Sequence, residues 1–378
     1  MRKTLLTLTG FIFLLLMTAT PMYAAPTSYD SLPKPDWVVT HDEVSNFGKI
    51  KDYLYLMDSS GKVTVYQEKT KTKIGSVDVI SSSWVQYSGG FEYKNQILSN
   101  GNMSFITSYK DKKKNREFPQ LRIYSPKGNK LLDYTFTEKT TNEVGSYIMD
   151  DGTLLVYLKL NSSKYMTYRY SVNGKLLSKK MINEFMYYQQ NGYISTISNW
   201  SFAGEYKSTL SFYDDQLRKE FSYRNNGLSF RGILKDKTMI FTKFDQAGST
   251  AVIAKNPQGK TLWTKTISES ADFLIGNTKN SSNSFMLQSI SSIYAFNSKG
   301  FVTKSKVSTT GSFWIRESAD DKTLLVEKQD GLLILDRRTL KTITSYKIDT
   351  SDKQFNYAGN RVVYIVDPLT SNVSKYTL

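Results

Sequence analysis

The sequence predicts an all-β fold, a single β-propeller of four-stranded blades, with eight blades favoured and seven the alternative. Two observations carry that prediction. Short runs rich in Tyr, Val, Ile, Leu, Phe and Thr fill the chain, Gly, Asn, Asp and Ser punctuate them, and no convincing amphipathic helix intervenes. A strand–turn–strand unit then recurs at roughly 40 to 45 residues, the length of one four-stranded blade.

In chain order, Arg2 and Lys3 precede an apolar run from Leu5 to Met17 and a small-residue region from Ala19 to Ala25. This is the order of a secretory signal peptide, expected over residues 1–24. The apolar run is shorter than the ~20 residues a membrane span needs. Residues 25–36 hold Pro26, Pro33 and Pro35 and read as a linker; the propeller is expected over 37–378.

The recurring unit is plainest at AVIAKNPQGKTLWTKTI, from Ala251 to Ile267. Its own turn centre is near Gln258, and its counterparts have theirs near Thr70, Lys127, Asn173, Asp215, Lys299 and Arg338. Upstream of each lie two further short strands, such as Tyr53 to Met57 or Thr153 to Leu160. Arg361 to Leu378 reads as the middle strands of one more blade. Its missing outermost strand is expected from Trp37 to Val44, so the ring closes with one strand from each chain end and leaves fewer open edges.

The segment NPQGKTLW, Asn256 to Trp263, resembles the outer hairpin of PQQ-like (quinoprotein-type) propeller repeats. Ser125 to Tyr134, Ser171 to Lys180 and Asn297 to Lys306 resemble it with the tryptophan replaced. WD40-like repeats share the period, although no Trp-Asp ending occurs. The resemblance implies an exported bacterial propeller. Quinone-dependent members hold their cofactor with paired adjacent cysteines, calcium and a stacked tryptophan. This chain has no cysteine, so no cofactor is expected.

The absence of cysteine also removes disulfides, thiolate metal sites and thiol nucleophiles. No metal site is expected, since nothing matches a calcium-loop pattern. His41 is the single histidine, so any Ser–His–Asp set would have to use it. The pairs Asp150–Asp151, Asp214–Asp215 and Asp320–Asp321 fall at predicted turns, where aspartate bonds its own backbone. No sialidase-type Ser-x-Asp-x-Gly-x-Thr box is present.

The net charge is +16, which favours polyanionic surroundings. Two sets of candidate binding residues follow. Tyr109 to Arg116 (YKDKKKNR) reads as an insertion on a long flexible loop. Its Lys110, Lys112, Lys113, Lys114 and Arg116, with Lys69, Lys71 and Lys73 of the preceding outer turn, form a candidate polyanion-binding patch. Trp84, Tyr147, Tyr187 and Trp314 fall in the first strands of different blades and are candidate channel aromatics, able to stack sugars or anchor a peptide. The expected function is a secreted or wall-associated, non-enzymatic binding or scaffold module. Its partner is an anionic cell-envelope polymer or a protein; no nucleic acid is expected, and a monomer is. Two alternatives remain: an extracellular glycan hydrolase or lyase using paired channel carboxylates, and a sensor subunit for an envelope enzyme.

Overall fold

The computed structural model describes residues 22–23, 30–41, 44–58, 60–78, 97–111, 116–140, 144–149, 151–183, 185–190, 193–201, 207–246, 248–275, 284–300, 302–307, 313–317 and 322–378. These form eight antiparallel sheets arranged as the blades of a propeller, with no helix among the described residues. Blade 1 holds Val44–Ile50, Tyr53–Asp58, Lys62–Gln67 and Thr72–Asp78, in that order from the central channel outward. Blades 3 to 7 repeat this meander, and blade 2 has three described strands, Met103–Asp111, Arg116–Tyr124 and Lys130–Thr135.

Blade 8 is built from both chain ends. Gln354–Gly359, Val362–Asp367 and Asn372–Thr377 supply its inner three strands, and Trp37–Thr40 pairs antiparallel with the last, Trp37 opposite Lys375. This outermost strand is shorter than the Trp37–Val44 stretch anticipated, because Val44 already opens the first strand of blade 1. The expected leader and linker also carry strand. Met22–Tyr23 lies parallel to Val302–Lys306 of blade 6, and Asp30–Ser31 parallel to Thr342–Lys347 of blade 7. An outer edge with unpaired N–H and C=O groups is what an extended neighbour can satisfy.

The period-2 alternation of each strand sends successive side chains to the two neighbouring blades. Leu54 and Leu56 pack towards Tyr364 and Val366 of blade 8, whereas Tyr55 between them packs towards Met103 and Phe105 of blade 2. Eight buried clusters result, one at each junction around the ring, including the one between blades 8 and 1.

The turns joining third to fourth strands in blades 1 to 7 come in two related forms, closed by an N–H three residues on in blades 2 to 6 and four residues on in blades 1 and 7. A backbone N–H closes each turn at a residue of positive φ: Lys71, Gly128, Gly174, Leu217, Gly259, Gly300 and Leu340. Glycine is required where the adjacent blade comes close. A Cβ on Gly128 would stand 2.7 Å from the Ser76 carbonyl oxygen, and one on Gly300 2.7 Å from Trp263 Cδ2. The same device explains why tryptophan is dispensable in the other units: Leu132 and Tyr223 occupy the equivalent seat against Gly174 and Gly259.

Between the first two strands of blade 8, Asn360 and Arg361 both have positive φ, 50° and 64°. Two successive left-handed residues favour Asn-Gly. Arg361→Gly is therefore expected to stabilise the protein by about 0.5 kcal/mol, the relieved strain exceeding the added freedom of the unfolded chain. An unchanged or lower thermal midpoint counts against this.

Candidate functional site: the basic face

Because strands alternate in direction, turns between first and second strands and between third and fourth strands emerge on one face of the ring. Second-to-third turns and the links between blades emerge on the other. The first of these faces is basic. Every third-to-fourth turn of blades 1 to 7 presents an exposed cation: Lys69 and Lys71, Lys127, Lys175, Arg218, Lys260, Lys299, and Arg338 with Lys341. The left-handed residue needs a polar, solvated neighbour, and in this chain that neighbour is repeatedly basic.

Four carboxylates on the same face, Glu68, Asp151, Asp214 and Asp336, are engaged. Glu68 Oε1 accepts from Lys375 Nζ at 2.7 Å and from Tyr364 Oη at 2.5 Å, and Lys49 Nζ lies 3.3 Å from Oε2. Asp151 accepts from Thr153 and pairs with Arg169. Asp214 accepts from the N–H groups of Gln216 and Arg218 and from Arg218 Nε at 2.7 Å. Asp336 Oδ1 accepts from Thr339 N and Oγ1, both at 2.7 Å, and from Arg338 N at 3.1 Å. In each case burial pushes the carboxyl up, but these hydrogen bonds together outweigh it and hold the group below the ordinary range. The opposite face collects Asp58, Asp245, Asp330, Asp349, Asp352 and Asp367 at its turns and links, with Lys62, Lys139, Lys164 and Lys353 among them. The opposite face thus carries both signs, and the basic Tyr109–Arg116 stretch joins strands on that side.

On the basic face a cleft of about 640 Å³ opens between blades 6 and 7. Lys322, Arg337 and Arg338 line it with Asp336; Phe285, Met286, Ala295 and Phe296 give it apolar walls, and Ser284, Asn297 and Thr303 complete it. The Arg337 N–H donates to the Lys322 carbonyl at 2.9 Å, which pins the two turns of blade 7 together.

The anticipated residues are placed differently from the patch expected of them. The described ends of the stretch expected as a flexible loop are strand: nine-residue strands continue to the pairs Lys110–Glu117 and Asp111–Arg116. Lys112, Lys113 and Lys114 lie outside the described residues. This hairpin joins second to third strands, so it rises from the face opposite Lys69 and Lys71, with Lys73 just inside the following strand. The described backbone of Lys110 and Arg116 thus belongs to the second-to-third side of blade 2, and Lys69 and Lys71 to the third-to-fourth side of blade 1.

Of the four anticipated channel aromatics, the side chains of Tyr147 and Trp314 are described. Tyr147, in Val144–Ile148, stacks on Tyr157 of its own blade at 5.6 Å and 21°. Tyr187 is on the first strand of blade 4, with its side chain outside the described set, as is the whole of Trp84. Trp314 is 54% exposed on the first strand of blade 7, directly across from Glu327. Burial pushes the Glu327 carboxyl up; Arg316, with two nitrogens 3.3 Å from Oε2, pulls it back only in part. His41 sits edge-on to Tyr66, 6.1 Å between ring centres. Among the described residues no three His, Asp or Glu side chains gather into a metal-binding group, and no helix is long and apolar enough to cross a membrane.

Sequence reasoning missed the turn cations of blades 2 to 7. Their signal was present as the repeated Gly-Lys and its variants, which were legible as a repeat marker before they were legible as a charge pattern.

No family model matches the chain, and no curated protein matches its sequence. Among solved structures it is similar to the C-terminal WD40 domain of Sif2, at 12% identity over 93% of this chain and 99% of that one, with a TM-score of 0.52. The computationally designed Ika8 protein aligns at 8% identity over 95% and 100%, TM-score 0.50. BamB from Moraxella catarrhalis aligns at 10% identity over 91% and 99%, TM-score 0.48. What this chain shares with such structures is its fold, a β-propeller.

Proposed function

We propose that the protein is an exported binding propeller whose basic face docks an anionic polymer of the cell envelope. The observation that carries this reading is the cation in each outer turn of blades 1 to 7, on a face where Glu68, Asp151, Asp214 and Asp336 are each held by hydrogen bonds. A ring of this kind meets a long polyanion at many points, each weak and screened by salt, and their sum is what holds it. The repeat supplies the spacing, so no single residue dominates. The leader-like residues 1–24 support export, and the surplus charge supports an anionic partner.

The test is binding of the purified protein to anionic cell-wall polymer at low and high salt. Binding is expected to fall steeply with salt. A Lys127→Gln/Lys175→Gln/Lys260→Gln variant is expected to bind about tenfold more weakly, at roughly 0.5 kcal/mol per exposed charge. Lys112→Ala/Lys113→Ala/Lys114→Ala, between strands that run to the opposite face, should change little. Failure of the native protein to bind at low salt overturns the reading; loss confined to the hairpin variant moves the site to the other face.

A further inference from the structure

We propose that Asn226–Gly227, at the link between blades 4 and 5, is a site of self-modification, where the chain converts its own asparagine to aspartate and isoaspartate. Four Asn-Gly pairs occur in the sequence, at Asn100, Asn173, Asn191 and Asn226. The chemistry open to each is the same. The glycine nitrogen attacks the asparagine side-chain carbonyl carbon, a C–N bond closes a succinimide ring, and Nδ2 leaves as ammonia with the proton given up by the glycine N–H. Water then opens the ring at one carbonyl or the other, giving aspartate or isoaspartate, the latter with the main chain rerouted through the side chain. Glycine is the residue that permits this, because no Cβ obstructs its nitrogen. The fold decides which pair can close the ring.

Two of the pairs are held at both reacting groups. Asn100 Oδ1 accepts from the Asn102 N–H at 3.0 Å, its Nδ2 donates to Asn173 Oδ1 at 3.2 Å, and the Gly101 N–H donates to the Leu98 carbonyl at 2.8 Å. Asn173 Oδ1 accepts from Asn102 Nδ2 as well, at 3.3 Å, and the Gly174 N–H donates to the Ser171 carbonyl at 2.9 Å. Ring closure at either site must first break these bonds. Asn226 is different. It is exposed, as is Gly227, and among the described residues neither its side chain nor the Gly227 N–H has a hydrogen-bond partner. Gly227 has a φ of 70°, and a Cβ placed on it would meet nothing within 4 Å, so the surroundings of the attacking nitrogen are open. The preceding Asn225 holds the link in place, its Nδ2 donating to the Leu228 carbonyl at 2.6 Å. Asn191–Gly192 lies outside the described residues. The link belongs to the side of the ring away from the outer turns, so the new carboxylate adds negative charge there and leaves the basic face as it is.

The experiment is incubation of the purified protein in mildly alkaline buffer, folded and in concentrated guanidinium chloride, followed by tryptic peptide mapping in the mass spectrometer. In the folded protein Asn226 is expected to lose its amide about tenfold faster than Asn100 or Asn173, the margin set by the hydrogen bonds those two must first open. In denaturant the three should react at similar rates, because the sequence Asn-Gly is then all that remains. The peptide from Asn225 to Arg231 carries the reacting residue, and its fragments distinguish Asn226 from Asn225. Asn226→Gln should abolish the conversion at this position. Gly227→Ala, which keeps the asparagine and crowds the attacking nitrogen, should slow it. Equal rates at the three sites in the folded protein overturn the proposal. So does an Asn226 that reacts in denaturant and stays intact in the folded state, since the fold would then protect this pair like the others.

Discussion

Replacing Glu269 with alanine lowers the stability of the fold by about 2 kcal/mol at neutral pH and by progressively less in acid. Glu269 leaves the last strand of blade 5 and reaches into blade 6. Its Oε1 accepts from Lys304 Nζ at 2.6 Å and from Ser292 Oγ at 2.9 Å; its Oε2 accepts from Ser291 Oγ at 3.0 Å and also from Ser289 Oγ. Burial pushes the carboxyl up, but the bonds from Lys304 and the serines outweigh it and hold it at about 2. The folded value therefore lies below the unfolded one. The stabilisation is complete above about pH 4.5, declines as the pH falls and is lost near pH 2. For a chain of this length 2 kcal/mol corresponds to about 3 °C in Tm. Thermal unfolding of both proteins at pH 7 and pH 3 checks it: a difference that is as large at pH 3 as at pH 7 rules out the charged form as its source.

The Glu269 contact belongs to a set. Glu138 accepts from Lys179 at 2.7 Å and from Tyr168, and Glu68 does the same with Lys375 and Tyr364. In all three a tyrosine and the lysine stand directly opposite each other across one ladder: Tyr168 with Lys179, Tyr294 with Lys304, Tyr364 with Lys375; at Glu269 the serines take the place of the tyrosine hydroxyl as donors. The carboxylate comes from the adjoining blade. Such clamps are illegible in a sequence, because cross-strand partners depend on the bulges that shift register, as between Arg169 and Tyr170. The blade period was legible for the opposite reason. It is written in the turns, where the left-handed residue and its polar neighbours are local properties of the chain.

The candidate site divides the same way. That Lys69, Lys127 and Lys175 occupy turns could be read directly from the sequence. That all of them share a face depended on strand parity, and the insertion from Tyr109 to Arg116 shows how parity decides. It interrupts blade 2 one turn earlier than the outer hairpins do, and so it emerges on the opposite side of the ring. The cleft was beyond reach from sequence, since Phe296 and Arg337 meet only when two blades are placed side by side.

Trp263→Ala is expected to cost about 3 kcal/mol, close to 4 °C in Tm, because the indole holds blade 5 against blade 6. It stacks nearly parallel to Phe285 and Phe296, at 6.2 and 6.0 Å, and its Nε1 donates to the Ser298 carbonyl at 2.9 Å. Gly300 closes the lock. A Cβ there meets the indole at 2.7 Å, on a residue whose φ is 77°. Gly300→Ala should therefore destabilise through two separable causes: left-handed backbone strain of about 1 kcal/mol, and displacement of the indole, costing about as much again. A double-mutant cycle separates them. With Trp263 already replaced by alanine, Gly300→Ala should cost only the backbone part, leaving a coupling of about 1 kcal/mol between the positions. Additive losses would mean that the glycine serves its turn alone. A coupling of that size shows that this repeat is held to its neighbour by the fit of one ring to one glycine, the seat that Leu132 and Tyr223 fill at other junctions.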